Sequence, residues 1–220
     1  MFTRIMYGMG RLVISSYVRL MLRLDVRWHA SLPERPVLFA ANHPSTTDPI
    51  FIQVLLSRPL SVMITSKVFN IPFLGAYMRK MKQICVTPGK GEEVLEEAHQ
   101  SLNAGRSVTI FPEGLISPKD GFHAPRSGVA RLALRSGVPV VPLGIYLSDR
   151  GCKRIPTNLD GEPDTITWYL RGPYTITVGK PLHFIGDSND KPLVRQTAEI
   201  IMEHIRLLTT ESRLRSLSKI

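Results

Sequence analysis

A chain of 220 residues, 43% apolar and 21% charged, suits one globular domain able to bury a real core. The net charge of +10 is out of the ordinary and sits mainly at the two ends. Residues 1–30 hold Arg4, Arg11, Arg19, Arg23 and Arg27 against Asp25 alone, and residues 191–220 set six basic residues against three acidic ones. Such a surface favours anionic partners. The basic ends lack interleaved aromatic residues and carry no nucleic-acid motif, which sets nucleic acid aside.

The first stretch, "MFTRIMYGMGRLVISSYVRLMLRLDVRW", is apolar but broken by arginines. No uncharged run in it approaches the roughly 18 residues a spanning helix needs. The order of a signal peptide, one basic cluster before an unbroken apolar stretch, is absent as well. On a helical projection Arg4, Arg11, Arg19 and Arg23 fall within an arc of about 120°. That pattern suits a helix lying in a membrane surface, and we assign residues 1–28 to it and 29–220 to the main domain. The alternative is a soluble amphipathic helix packed on its own domain.

Further along, "RPVLFAAN", "SVMITS" (61–66) and "QICVT" (83–87) read as strands. "GEEVLEEAHQSLNAG" reads as a helix with Val94, Leu95, Ala98 and Leu102 on one face, Glu92 and Glu93 in its first turn and Gly105 at its end. "SVTIF" (107–111) is a strand, "SGVARLALRSG" (127–137) a helix with a glycine stop, and "VPVVPLGIYL" the strand after it. "TITWYL" and "YTITVG" flank Arg171-Gly172-Pro173 and read as an antiparallel pair, and Leu193 to Leu208 repeats as a terminal amphipathic helix. Alternation of helix and strand predicts an α/β sheet with helical crossovers and an antiparallel edge. Cys85 and Cys152, 67 residues apart with no metal-ligand spacing, read as buried free thiols of a reducing compartment.

The chemistry concentrates in "AANHPSTTDP", residues 40–49. Pro44 and Pro49 push His43 and Asp48 out of helical dihedrals, and Pro49 also suits the first position of a helix. A short loop between strand and helix start then lets His43 and Asp48 face one another. A carboxylate on one imidazole nitrogen fixes the tautomer and leaves the other as a general base. The competing reading makes Asp48 a plain N-cap, which needs no histidine. "TIFPEG" (109–114) is a second strand running into a turn with Glu113 at its tip. Both turns belong at the carboxyl ends of strands, where α/β sheets bind ligands.

Taken in order, "NHPSTTDP", then "FPEG" 63 residues after Asp48, then "SGVARLALRSGVPVVPLGI", and finally "VGKPLHF" resemble the lysophosphatidate and glycerol-phosphate acyltransferase family over roughly residues 25–210. Asn42, His43 and Asp48 match its Asn-His-x-x-x-x-Asp signature, and Phe111 to Gly114 match its Phe-Pro-Glu-Gly block. The resemblance implies a mixed, largely parallel sheet behind an amphipathic N-terminal helix. It also implies direct acyl transfer from a thioester, acyl-CoA or acyl carrier protein, to a lysolipid hydroxyl, with no cofactor and no metal. His43 and Asp48 are then catalytic, while Asn42, Glu113 and Gly114 are expected to bind substrate. Backbone N–H groups near Gly114 or at the Pro49 helix start are candidate oxyanion donors. A peripheral position on the cytoplasmic face of a membrane follows for such an enzyme.

The chain departs from that family at two arginines tied to the acceptor's phosphate. Pro88 ends "KQICVTP" where one would stand, and Leu115-Ile116 replaces Thr-Arg after the Phe-Pro-Glu-Gly block. Lys82, Lys90 and Arg126 are the basic residues expected to substitute, although lysine lacks the bidentate fork of arginine. Besides 1-acylglycerol-3-phosphate, the sequence therefore leaves open a lyso-aminolipid, a headgroup-bearing lysophospholipid, a glycolipid or a pigment as acceptor. A non-catalytic lipid-binding protein on the same fold is the alternative from another class.

Overall fold

The computed structural model describes residues 2–56, 59–159 and 162–219, with side chains described from residue 12 onward except at 157–164. In chain order the elements are α1 (Phe2–Met21), β1 (Asp25–Trp28), β2 (Leu38–Ala41), α2 (Asp48–Phe51), β3 (Leu60–Thr65), α3 (Ser66–Phe69), α4 (Leu74–Lys80) and β4 (Ile84–Val86). There follow α5 (Gly91–Asn103), β5 (Ser107–Ile110), α6 (Gly128–Ser136), β6 (Val140–Leu147), β7 (Cys152–Leu159), β8 (Glu162–Tyr169), β9 (Tyr174–Val178) and α7 (Lys191–Leu217).

Seven strands form one sheet in the order β1-β9-β6-β2-β5-β3-β4, and β7 and β8 form a separate hairpin. From β6 to β4 the strands are parallel; β9 runs antiparallel to β6, and β1 parallel to β9. The apolar runs read as strands are apolar because both faces are covered. In β2, Phe39 and Ala41 join the core under α1–α4, while Leu38 and Ala40 join the core under α5–α7. Helix α5 buries Val94, Ala98 and Leu102, with Leu95 half-buried. Along α7 the approach to the sheet is so close at Gly144 that a Cβ there would stand 2.2 Å from the backbone of Leu208 and Thr209.

Two boundaries differ from those the sequence suggests. "TITWYL" and "YTITVG" do not pair with each other: β8 pairs with β7, and β9 lies between β1 and β6. The connection explains this, since Pro173 has no N–H for a ladder and the Gly172 N–H (φ 120°) goes to the Met21 carbonyl at 3.0 Å. Tyr174–Val178 is buried at every position and takes a slot covered on both faces. Strand β7 escapes a reading from pattern because "CKRIPTNL" is polar and contains Pro156. Residues 25–28, grouped above with the N-terminal segment, are the edge strand β1 of the main sheet.

The last turns of α1 pack on the domain. Val18 and Leu22 are fully buried, Ile14 and Tyr17 lie against the same core, and the Tyr17 ring stacks on Phe51 at 6.0 Å. Arg19 is exposed, whereas Arg4 and Arg11 lie outside the residues whose side chains are described. No helix among the described residues is long and apolar enough to cross a membrane. Cys85 and Cys152 are free thiols, half-buried rather than fully enclosed.

Candidate active site

Two turns meet at the carboxyl end of the sheet, one after β2 and one after β5. The first is anchored by Asn42, whose amide N–H donates to the Ile145 carbonyl (2.9 Å) and whose carbonyl accepts from the Ile145 N–H (2.7 Å). The side chain thus extends the pairing of β2 with β6 by one residue. Both ends of the amide are committed and the residue is buried, so the expectation that Asn42 contacts substrate is not met.

Past Asn42 the chain turns tightly, with Asp48 N–H donating to the Ser45 carbonyl at 3.0 Å. The Asp48 carboxylate is fully buried and receives three donors. The Ser45 N–H (2.8 Å) and His43 Nδ1 (2.9 Å) reach Oδ2, and the Tyr174 hydroxyl reaches Oδ1 at 2.7 Å. Asp48 makes no capping bond to the helix that follows. The capping alternative fails for that reason, and the acid faces the histidine. Because a carboxylate only accepts, Nδ1 carries the hydrogen, and Nε2 is the basic nitrogen of the neutral ring. Among the described residues no protein group bonds Nε2. The ring stacks on Phe111 with centroids 4.0 Å apart and planes within 18°, and its side chain stays 16% exposed. A base so oriented can take a proton from a molecule arriving on its open side.

The second turn treats its acid differently. Glu113 is buried with both oxygens in use. Oε1 accepts from the Ser117 hydroxyl and, at 3.4 Å, from the His43 N–H, while Oε2 accepts from the His123 N–H at 2.8 Å. Ser117 adds a 3.0 Å acceptor for the His43 N–H and sends its own N–H to the His43 carbonyl at 2.8 Å. Glu113 is therefore brought beside His43 as expected, but as a clasp between loops. Each of its oxygens already holds at least one donor of the protein. Of the suggested oxyanion donors, the Gly114 N–H goes to the Phe111 carbonyl (3.0 Å) and the Ile50 N–H to the Thr47 carbonyl (3.0 Å).

The three basic candidates separate. Arg126 folds over the Glu113 turn so closely that a Cβ on Gly114 (φ 66°) would lie 2.6 Å from its Nε. Its guanidinium is exposed and has no acidic partner among the described residues. Lys90 sits at the start of α5, at the carboxyl end of β4 on the far edge of the sheet, and pairs with Glu93 at 2.9 Å. Lys82 lies at the amino end of β4, opposite the end that carries His43, and is not part of this site. At Ile116 the backbone carbonyl accepts from the His123 ring Nε2 at 3.2 Å.

Sequence reasoning missed Tyr174, which lies 126 positions from Asp48 with no spacing to mark it. Burial first, then the charge of Asp48 and the hydrogen bond to it, hold its hydroxyl far above the ordinary tyrosine range. It is a neutral donor at every working pH. Ser117 lay in plain view in "FPEGLIS" without a signal that it would bridge the turns. Strand β8 was missed as a support: the Thr167 carbonyl accepts from the Thr46 N–H (2.8 Å) and the Ser45 hydroxyl (2.9 Å), and Thr47 reaches the Tyr169 carbonyl at 3.3 Å.

The model of the family described as Acyltransferase matches residues 23–146. The 1-acyl-sn-glycerol-3-phosphate acyltransferase of Pseudomonas aeruginosa is 27% identical over 143 residues, which cover 61% of this chain and 55% of that protein. The lyso-ornithine lipid O-acyltransferase of the same organism is 27% identical over 148 residues, 66% of this chain and 57% of that protein. Lysophospholipid acyltransferase LPCAT4 of Mus musculus is 33% identical over 179 residues, 78% of this chain and 30% of that protein. The chain thus spans little more than half the length of the two bacterial relatives and less than a third of the mouse one. In fold it is similar to the crystal structure of the 1-acyl-sn-glycerophosphate acyltransferase PlsC from Thermotoga maritima. The TM-score is 0.60 at 21% identity, covering 94% of this chain and 79% of that one.

Proposed function

The chain belongs to the acyltransferase family, and from that premise we propose that it moves a fatty acyl group from a thioester to the hydroxyl of a lysolipid, with His43 as the general base. The observation that carries this reading is the 2.9 Å contact from His43 Nδ1 to a buried Asp48, which leaves Nε2 open. Nε2 takes the acceptor's hydroxyl proton as the oxygen attacks the thioester carbonyl. The tetrahedral intermediate then collapses, the C–S bond breaks, and the departing thiolate recovers that proton from the imidazolium. Asp48 holds the ring and stabilises its charged form. No enzyme nucleophile is needed, and the donor is acyl-CoA or acyl carrier protein.

The preferred acceptor is 1-acylglycerol-3-phosphate, the substrate named for the first Pseudomonas relative. Arg126 supplies the cation for its phosphate, since it folds over Gly114, two residues before Ile116, which stands where the family has its arginine. A second reading has a specific support: Pro88 and Ile116 bind no phosphate, and a relative of equal identity is named for a lyso-ornithine lipid. In either case α1 (Phe2–Met21) contributes a membrane-surface helix to a peripheral enzyme of the cytoplasmic face.

The test is a transfer assay with a long-chain acyl-CoA and, separately, acyl carrier protein thioester, against a panel of lysolipids. Arg126→Ala should raise KM for lysophosphatidate by about tenfold or more and leave headgroup-bearing acceptors unaffected. Transfer to a lyso-aminolipid alone, indifferent to Arg126, would establish the second acceptor. A protein inactive with every donor and acceptor would refute acyl transfer.

A further inference from the structure

Strand β8 has two faces with different business. Thr167 and Tyr169 are buried against the loop that carries His43 and Asp48. The alternate residues point away. Trp168 lies directly across from Lys153 on β7, and Ile166 across from Ile155, so these four share the outer face of the hairpin. Ile155, Trp168 and Leu170 are all exposed, Leu170 by 53%.

This face does not stand alone. The Tyr17 hydroxyl donates to the Leu170 carbonyl, and the Gly172 N–H donates to Met21, so the end of the hairpin is fastened to the end of α1. There α1 turns Leu12 and Val13 (68% exposed each) and Leu20 (76%) outward. Their spacing of seven and eight residues makes one stripe, opposite to the Val18 and Leu22 side that packs on the core. Around the junction stand Arg19, Arg23, Lys153 and Arg171, all exposed and without a carboxylate partner among the described residues. An apolar patch containing a tryptophan and rimmed by unpaired cations matches the chemistry of a bilayer with anionic headgroups. A protein partner is less suited, because the cations would have to be neutralised at each contact.

We propose that the outer face of the β7–β8 hairpin is a second bilayer-docking element, continuous with the exposed stripe of α1. Trp168 and Leu170 enter the interface while Lys153 and Arg171 meet the headgroups. The hairpin follows the carboxyl end of β6, so docking lays the bilayer beside the end of the sheet that holds His43. The same strand that meets lipid with Trp168 holds Ser45 and Thr46 through the adjacent Thr167. The docking itself stands on the exposed face; only its service to the dyad rests on the acyl-transfer reading.

The protein has two tryptophans, Trp28 and Trp168, which makes a direct measurement possible. In Trp28→Phe, the emission of Trp168 is followed as vesicles of phosphatidylglycerol and shallow-brominated phosphatidylcholine are added. The expected result is a blue shift and quenching by about half or more, with little quenching in Trp168→Phe, where Trp28 reports. In parallel, Ile155→Ser/Leu170→Ser should lower vesicle partition by about tenfold with an unchanged thermal melt. Protein that floats with the vesicles while Trp168 stays unquenched would mean that α1 docks alone and would overturn the proposal. A double variant that binds like the parent would overturn it too. So would concentration-dependent burial of Trp168 without lipid, which would make the face a contact between protein copies. None of these outcomes uses turnover, so the acyl-transfer reading stands or falls separately.

Discussion

The turn after β2 and the turn after β5 each end on a buried carboxylate, and the two acids are employed in opposite ways. Asp48 gives one oxygen to an imidazole and has the other held by Tyr174, so its charge is directed at the His43 ring. Glu113 gives both oxygens to N–H and O–H groups of Ser117, His43 and His123. Both carboxylates are satisfied, as buried charges must be. Only the first is coupled to a group with an open nitrogen. The difference teaches that a buried acid beside a catalytic histidine is assigned by where its lone pairs go, not by its distance from the ring.

Substitutions at the two turns should separate chemistry from architecture. The largest loss is expected for His43→Ala, a fall in kcat of about 10²–10⁴-fold with the thermal melt nearly unchanged. Asp48→Asn should come close to it. The asparagine amide has one accepting oxygen where three donors converge, and its NH₂ turned toward Nδ1 would force the hydrogen onto Nε2. The base would then be lost through the tautomer, and transfer at high pH should not recover. Glu113→Gln reverses the balance: one of its two acceptors becomes a donor facing N–H groups, at a cost of about 1–3 kcal/mol. The melt should drop by about 3–10 °C in a chain of this size, with kcat/KM down by about tenfold as the loops shift. Its acid-side pH limb should stay where it was. A Glu113→Gln protein with a normal melt and a displaced limb would erase the distinction between the two acids.

Both turns were legible in the sequence because each is local: a strand, a Pro-framed loop and an acid within a few residues. The parallel sheet was legible for a similar reason, since buried strands such as "VLFAA" and "VVPLGI" are continuous apolar runs. What failed was non-local or masked. The pairing of β9 depends on which slot in the sheet is covered on both faces, a property of packing and not of the Arg171-Gly172-Pro173 turn. Strand β7 hid behind Pro156 and its polar residues. Lys82 and Arg126 were both candidates to replace the missing arginines, yet a residue before a parallel strand and one after it stand at opposite ends of the sheet. Asn42 and Glu113 read as ligands for substrate because their hydrogen-bond partners in the fold, Ile145 for the first and Ser117 and His123 for the second, are fixed only by tertiary structure.

Tyr174 tests the comparison at its finest, because it touches the acid and not the base. Tyr174→Phe keeps the ring and its edge-on contact with Phe51, 5.5 Å between centroids, and removes one hydroxyl. The parent hydroxyl cannot be titrating near neutrality, since burial and Asp48 hold its proton on far above the usual range. Its effect is therefore that of a fixed donor drawing charge away from the carboxylate. Without it, Asp48 Oδ1 loses its partner and the carboxylate leans more heavily on the imidazolium, which favours the charged form of His43. A base that holds its proton more tightly is active only at higher pH, so the acid limb of kcat/KM should move upward. The fall in kcat on the plateau should be modest, about three- to tenfold. A structural role for Tyr174 would lower the melt and scale the whole profile down without moving the limb. An upward shift with the plateau largely kept would assign Tyr174 to tuning the dyad, which no clasp of the Glu113 kind can do.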